Sequence, residues 1–473
     1  MAGKRIATIE KIKRGAHDIS SQWKTGRARC ITAIYLIFLF IAFVLCTGSG
    51  GYETVSDAKY ELYIVGTILF FLILLVVTVE AIMTGKLKRL GIQLLANKFS
   101  YEHIFIALFG VWSFVSALLS DQKLVAWFGK DGLIITLLFI LTFFTISLLG
   151  EYTGIIRASI IVSVSINICI ILLQFCGKNP FHLFPEGLNY LGAYIDYDGA
   201  FLGTIGNVDF LSSMFCLFLP ILFCNGVRVA ARRKKTGFAQ IMIAAVGFFV
   251  LIRAGVAAGI LSLVGVIFLV FPMLFQCAPG VNTKVVRMEV CLLCVLLLVI
   301  YAEGDHLSGT FGELSAVLHG EIEDSFGSFR AGLWRTVMEI IPEQRLRGSG
   351  PGTIGEALSL AITQKYNQYG VISLVDTAHN EYLNYMANIG IPGLLFYVSE
   401  LGCTVIRWLK WNRDDAIFSL GAGIVCYCMQ AFFCCNQHIV APLFWAVWGL
   451  FIYQVNKRRK GRGKNGEKER ELI

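Results

Sequence analysis

A single histidine heads the residues able to do chemistry. His379 stands in "DTAHNEYLNY", residues 376–385, a polar cluster that runs directly into an apolar segment. Asp376 or Thr377 suits a helix N-cap, because each offers a side-chain oxygen to the first unbonded N–H groups. His379 then falls in the first helical turn. Leu383, Met386, Ala387 and Gly390 follow it at i+4, i+7, i+8 and i+11, which points the ring along a buried stripe. The positive end of a helix dipole disfavours imidazolium. A neutral ring near neutral pH is therefore expected, available as a general base. The same spacing also suits a plain capping cluster around a satisfied interfacial histidine.

Cationic and glycine-rich candidates lie upstream. In "SFGSFRAGLWRTVMEII", residues 325–341, Phe329, Leu333, Val337 and Ile340 recur at helical spacing, with Arg330 and Trp334 on the adjacent face. That is an amphipathic helix, ended by Pro342. Arg330 there suits either a phosphate contact or snorkelling above a lipid-facing helix. "RLRGSGPGTIGEAL" follows, with Gly348, Gly350 and Gly352 ahead of an apolar helical run. A glycine-rich turn entering a helix presents N–H groups to an anion, but a tight turn needs the same residues. Arg253, a lone charge between two apolar runs, is a functional candidate beside the small "AGVAAG". Tyr190, Tyr194 and Tyr197 suit either stacking on sugar rings or an interfacial aromatic belt.

The elements that carry these residues are set by a bilayer. Of 473 residues, 56% are hydrophobic and 15% charged, against roughly 25% charged in soluble chains. The mean hydropathy is +0.68. Twelve apolar segments have about the length of a span: 30–46, 61–84, 101–120, 131–150, 155–176, 209–226, 237–252, 255–275, 287–302, 391–410, 415–434 and 438–455. The fold expected is all-α, a polytopic transmembrane bundle with one large external helical loop. The net charge of +9 sits in tails and short loops, which argues against a nucleic-acid partner. "KIKRGAH", "GKLKRL", "RVAARRKK" and "NKRRKGRGK" fall on one side if the spans alternate. That side is cytoplasmic by the positive-inside rule, and both termini lie there. The chain then divides into a basic tail (1–29), spans one to nine (30–302) with an external loop at 177–208, a large external loop (303–390), spans ten to twelve (391–455) and a basic tail (456–473) suited to anionic lipid heads. The large loop carries five Lys/Arg against eleven Asp/Glu.

The first 29 residues read as a polar tail, not a cleaved signal peptide. Fourteen cysteines fall mostly in apolar runs, and none lies within 303–390. They read as packing residues rather than metal ligands or disulfides.

Together these residues resemble the O-antigen ligase and polymerase superfamily of bacterial envelope glycosyltransferases. The most specific mark is His379-Asn380-Glu381-Tyr382-Leu383 leading through Gly390-Ile391-Pro392-Gly393-Leu394 into a span. Arg330 with Trp334, Pro342 and the 348–352 glycines resembles the family's R…W…P…G-x-G run. Gly203-Thr204-Ile205-Gly206-Asn207 is similar to its G-T-x-G-N element, and Arg253-Ala254-Gly255 to part of S-R-G-G. The chain departs at Val208-Asp209, where the family commonly has Pro-Asn, and at Ile252, where it usually has Ser.

The resemblance implies a GT-C-like enzyme of the bacterial inner membrane. It would move a polyprenyl-pyrophosphate-linked glycan to a sugar hydroxyl on a glycan or lipid-glycan acceptor at the outer face, without metal or cofactor. His379 would be the base, with Asn380 orienting the sugar or the ring and Asp376 holding the histidine. Arg253, Arg330, Gly350 and Gly352 would meet the pyrophosphate. Tyr190, Tyr194, Tyr197, Trp334 and Asn207 would contact glycan. Ligation and polymerisation are equally compatible. The alternative class is a transporter or flippase for lipid-linked oligosaccharide. Such proteins show repeats and broken, charged helices near the midplane, of which this chain has neither strongly, with Glu80 and Glu400 as exceptions.

Overall fold

The computed structural model describes residues 26–84, 101–193, 197, 199–274, 281–303, 306, 309–341, 345–366, 375–435 and 437–470. Tyr194 and Pro342 lie outside the described residues. The chain is an all-α membrane bundle. Its helices are α1 (Gly26–Phe43), α2 (Val55–Met83), α3 (Tyr101–Leu119), α4 (Lys123–Phe128), α5 (Leu133–Leu149) and α6 (Gly154–Phe175). A two-stranded ribbon follows, β1 (Phe201–Leu202) against β2 (Gly206–Asn207). Next come α7 (Val208–Ala231), α8 (Lys235–Arg253), α9 (Ala257–Leu274) and α10 (Val281–Ala302). The former loop region holds α11 (Gly309–His319), α12 (Phe326–Ile340) and α13 (Ile354–Tyr366). The chain closes with α14 (Glu381–Trp411), α15 (Asp415–Gln430) and α16 (Ala441–Arg470).

Among the described residues, ten helical segments are long and apolar enough to cross a membrane. The segments expected as the eleventh and twelfth spans are helical, as α15 and α16, but are not among these ten. With 16 residues, α15 is short for a span. It is nevertheless tied at both ends of α7. Arg228 Nη1 meets Asp415 Oδ1 at 3.1 Å, and Gln430 Nε2 donates to the Asp209 carbonyl at 3.3 Å. The apolar part of α16 gives way to "NKRRK" from residue 456.

Centrally placed α7 packs against α8, α9 and α15. Small residues let the backbones approach, as membrane packing requires. A Cβ at Gly423 of α15 would stand 2.3 Å from the Leu217 carbonyl of α7, and one at Gly259 of α9 would stand 2.3 Å from Ser212 Oγ. Lipid-facing helices keep apolar side chains exposed, such as Val76 of α2 and Leu298 of α10.

Over one end of this bundle sits a separate small core of Leu333, Val337, Ile341, Ile354, Leu358 and Ile362, closed by Ala378 and Ala387. It joins α12 and α13 to the start of α14. Each fully buried Leu or Ile there contributes roughly 2 kcal/mol. The opposite end carries Arg27–Glu80 at 3.1 Å, Arg228–Asp415 and Lys457–Glu151 ion pairs.

A kink in α14 fastens the cap to the bundle. Gly390 adopts φ 74° and ψ 174°, and Pro392 has no N–H for the Asn388 carbonyl. Backbone polar groups cannot stay unbonded near lipid. The freed carbonyls therefore find partners outside the helix. Ala387 O accepts from Ser349 N at 3.0 Å, and Asn388 O from Gly350 N at 2.8 Å and Ser116 Oγ at 3.1 Å. Ile389 O accepts from Trp112 Nε1 at 2.9 Å.

Candidate active site

His379 does not sit in the first turn of a helix capped by Asp376 or Thr377. Asn380 is the cap: its Oδ1 accepts from the N–H groups of Tyr382 and Leu383, each at 3.0 Å. His379 precedes the helix in a left-handed conformation, φ 44°. A non-glycine residue held there costs about 1–3 kcal/mol, a cost concentrated at functional sites. The backbone on both sides is fixed. Trp334 Nε1 donates to the Ala378 carbonyl at 3.1 Å, and Glu381 N to the Ala431 carbonyl at 2.9 Å. Thr377 Oγ1 lies 3.3 Å from Cys435 Sγ.

The imidazole lines a cavity of about 700 Å³ shared with Arg330, Asp209, Tyr366 and the Ala254–Ala258 turn. Burial, reinforced by the Arg330 charge, holds its pKa below the ordinary 6.5, while Asp209 and Asp376 pull the other way. The ring is thus disposed to be neutral, as expected. The main cause is desolvation, not a helix dipole.

Arg330 is placed by a left-handed turn, Gly327-Ser328-Phe329, with φ of 63°, 57° and 66°. Regular helix begins only after it, so Phe329 leaves the apolar stripe and is 58% exposed. Leu333 and Val337 keep the expected buried face. The guanidinium donates from Nη2 to Asp209 Oδ2 at 2.9 Å, from Nη1 to Gly327 O at 3.0 Å and from Nε to Phe433 O at 3.1 Å. Of its five N–H donors, these bonds leave one on each Nη for an anion.

Asp209 is the site residue that sequence reasoning missed. Its signal was the departure at Val208-Asp209, an acid opening an apolar span. Asn207, proposed for glycan contact, instead caps α7 by accepting from Asp209 N at 2.8 Å.

Other candidates stand apart from this cavity. Gly350 and Gly352 (φ 117° and 69°) are packing residues. A Cβ at Gly350 would fall 2.4 Å from Ser120 Oγ, and one at Gly352 would fall 2.9 Å from the Asp131 carbonyl. The turn's N–H groups already bond the α14 kink, and Asn388 Oδ1 caps α13 through Thr353 N at 2.9 Å and Ile354 N at 3.1 Å. No anion is needed there. Arg253 ends α8 with its guanidinium 5.5 Å from the Phe175 ring centre. It borders the cavity through Ala254, and its own side chain faces out. Tyr190 packs on Phe175, and Tyr197 on Phe184 and Phe201. Trp334 is engaged by Phe432 and Phe433 and holds the backbone before His379. Asp376 lines a second cavity, not the one containing the imidazole.

Residues 220–398 match the family described as O-Antigen ligase. This match supports the resemblance of the chain to the O-antigen ligase and polymerase superfamily. The match takes in Arg253, Arg330 and His379, whereas Asn207 and Asp209 precede it. No curated protein matches the chain at a significant level. Members of this family are glycosyltransferase-like enzymes of bacterial membranes, which agrees with the ten apolar span-length segments.

Proposed function

We propose that this O-antigen ligase family protein transfers a glycan from polyprenyl pyrophosphate to a sugar hydroxyl, without a metal, at the outer face of the bacterial inner membrane. The observation that carries the reading is one cavity at one end of a membrane bundle that holds a half-buried, neutral-leaning imidazole and a cation with free donors. His379 takes the proton of the acceptor hydroxyl. The oxygen attacks the anomeric carbon, the bond from that carbon to the pyrophosphate oxygen breaks, and the negative charge grows on the leaving group. Arg330 stabilises that charge through its remaining donors. The products are a glycosidic bond, polyprenyl pyrophosphate and a proton, which the imidazole returns to solvent. Asp209 orients Arg330, and Trp334 fixes the chain that presents His379.

The lipid part of such a donor also has a matching surface. An apolar cavity of about 190 Å³ lies between α7, α8 and α9, lined by residues such as Leu219, Phe223, Ala244, Phe248, Leu263 and Val266. The polar cavity is bordered by α7, by α9 and by the turn that follows α8. Leu219 is ten residues below Asp209, about 15 Å along the helix. A pyrophosphate at Arg330 would direct an isoprenoid tail towards this groove. The positive-inside rule supports an external site and cytoplasmic termini, since "RVAARRKK" lies at the opposite end of α7.

The test is the purified protein in proteoliposomes with a lipid-linked oligosaccharide and an acceptor glycan. A new covalent product is expected. Movement of the lipid-linked sugar across the bilayer without any product would replace this reading with a flippase.

A further inference from the structure

We infer that a second polar cavity, behind the His379 segment, is a binding site for the sugar units of a glycan, distinct from any pyrophosphate site. Its volume is about 440 Å³, and it shares no lining residue with the His379 cavity. Residues 375–379 form the partition. Val375 and His379 line one side, and Asp376 and Thr377 line the other.

The chemistry of the walls selects the ligand. Asp131, Asp376 and Glu356 face the cavity with Lys130 as the one cation among its described lining residues, and Lys130 pairs with Asp57. Such a field repels phosphate. Asn384 and His438 add further hydrogen-bonding groups. Carboxylates and amides grouped in this way suit adjacent hydroxyls, which donate to carboxylate oxygens and accept from amide N–H groups.

His438 supplies an independent sign of an occupant. The residue is 3% exposed. Its Nε2 lies 3.1 Å from Ser56 Oγ, and Tyr60 packs edge-on at 5.3 Å. Its Nδ1 is buried and has no hydrogen-bond partner, with Asp131 Oδ1 at 3.6 Å. The ring is thus held in place with one nitrogen unsatisfied in a polar cavity, where a hydroxyl would complete it. The sequence motif gains a second use: Asp376 contacts sugar, while His379 works on the other side. This rests on the proposed glycan chemistry, but binding can be measured without turnover.

The experiment is saturation-transfer NMR on the purified full chain in detergent with two lipid-free probes. One is the oligosaccharide cut by mild acid from the strain's lipid-linked donor pool. The other is the oligosaccharide cut from its finished, surface-anchored polysaccharide. At least one probe is expected to receive saturation. That transfer should fall fivefold or more in Asp376→Asn and His438→Gln, persist in Arg330→Ala and His379→Ala, and survive added inorganic pyrophosphate. The responding probe identifies the donor chain or the acceptor as the source. Because Asp376 is exposed, its Asn variant keeps the fold if His438→Gln does not. No transfer to either probe, transfer unaffected by Asp376→Asn, loss in Arg330→Ala, or displacement by pyrophosphate would each overturn the assignment. A protein that binds the probe but forms no covalent product in proteoliposomes would count against the transferase reading alone.

Discussion

Two regions of this chain look alike as anion sites in the sequence, and the structure separates them. The 345–353 turn has three glycines, two arginines and a following helix. The 325–341 segment has two arginines and one tryptophan beside an apolar stripe. In the fold the glycine turn is closed: Gly350 N bonds Asn388 O at 2.8 Å, and Asn388 Oδ1 caps the helix that an anion would need. Arg330 instead borders a 700 Å³ cavity with His379. The lesson is that an N–H group binds an anion only if no carbonyl has reached it first. Here a proline and a glycine in α14 free carbonyls that the turn must bond.

Substitutions can break or sharpen this contrast. The largest effect falls at the open site. Arg330→Ala should lower turnover by about 10²- to 10³-fold, as loss of a donor to a developing anion does, while the folded yield in detergent stays near wild type. Turnover within twofold of wild type would remove Arg330 from the chemistry. Gly350→Ala should do the reverse. Its φ of 117° and the 2.4 Å approach to Ser120 Oγ predict a loss of stability of about 1–3 kcal/mol, seen in thermal unfolding. Turnover per folded molecule should hardly change. A selective loss of donor affinity there would reopen the turn as an anion site.

Smaller effects refine the account. Arg253→Ala should raise the KM for donor by about tenfold or less with kcat preserved, as for a cation at the edge of a site. In the pH profile only the neutral imidazole accepts a proton, so activity must rise with pH through the His379 pKa. That pKa lies below 6.5 through burial and Arg330, so the acid limb should have its midpoint below 6.5. Asp209 pulls the pKa upward. Asp209→Asn should therefore move the midpoint still lower, the smallest shift of the set. A midpoint above 7 in the wild type would contradict the environment described for the ring.

Much of the fold was legible because lipid leaves few choices. A segment that buries its backbone within itself must be helical, and every expected apolar segment is a helix. The 16 residues of α15 were overestimated, since its ends are set by contacts with α7 and not by hydropathy. Within the site, His379 and Arg330 stood out as polar residues beside apolar runs. What could not be seen was backbone conformation and distant pairing. The left-handed φ of His379 moved the cap from Asp376 or Thr377 to Asn380. Asp209 meets Arg330 across 121 residues, and no local spacing announces that contact. Asn207 and Asn380 looked like ligand-binding amides and are helix caps, a role to which asparagine is well suited.

The central claim is that His379 is the base of a transfer reaction in the Arg330 cavity. Its most direct test is product formation by His379→Ala in proteoliposomes supplied with lipid-linked oligosaccharide and acceptor glycan. Loss of a general base typically removes about 10²- to 10⁴-fold of rate. The account predicts covalent product reduced at least that far, with insertion and thermal unfolding unchanged. Product formed at the wild-type rate would contradict it.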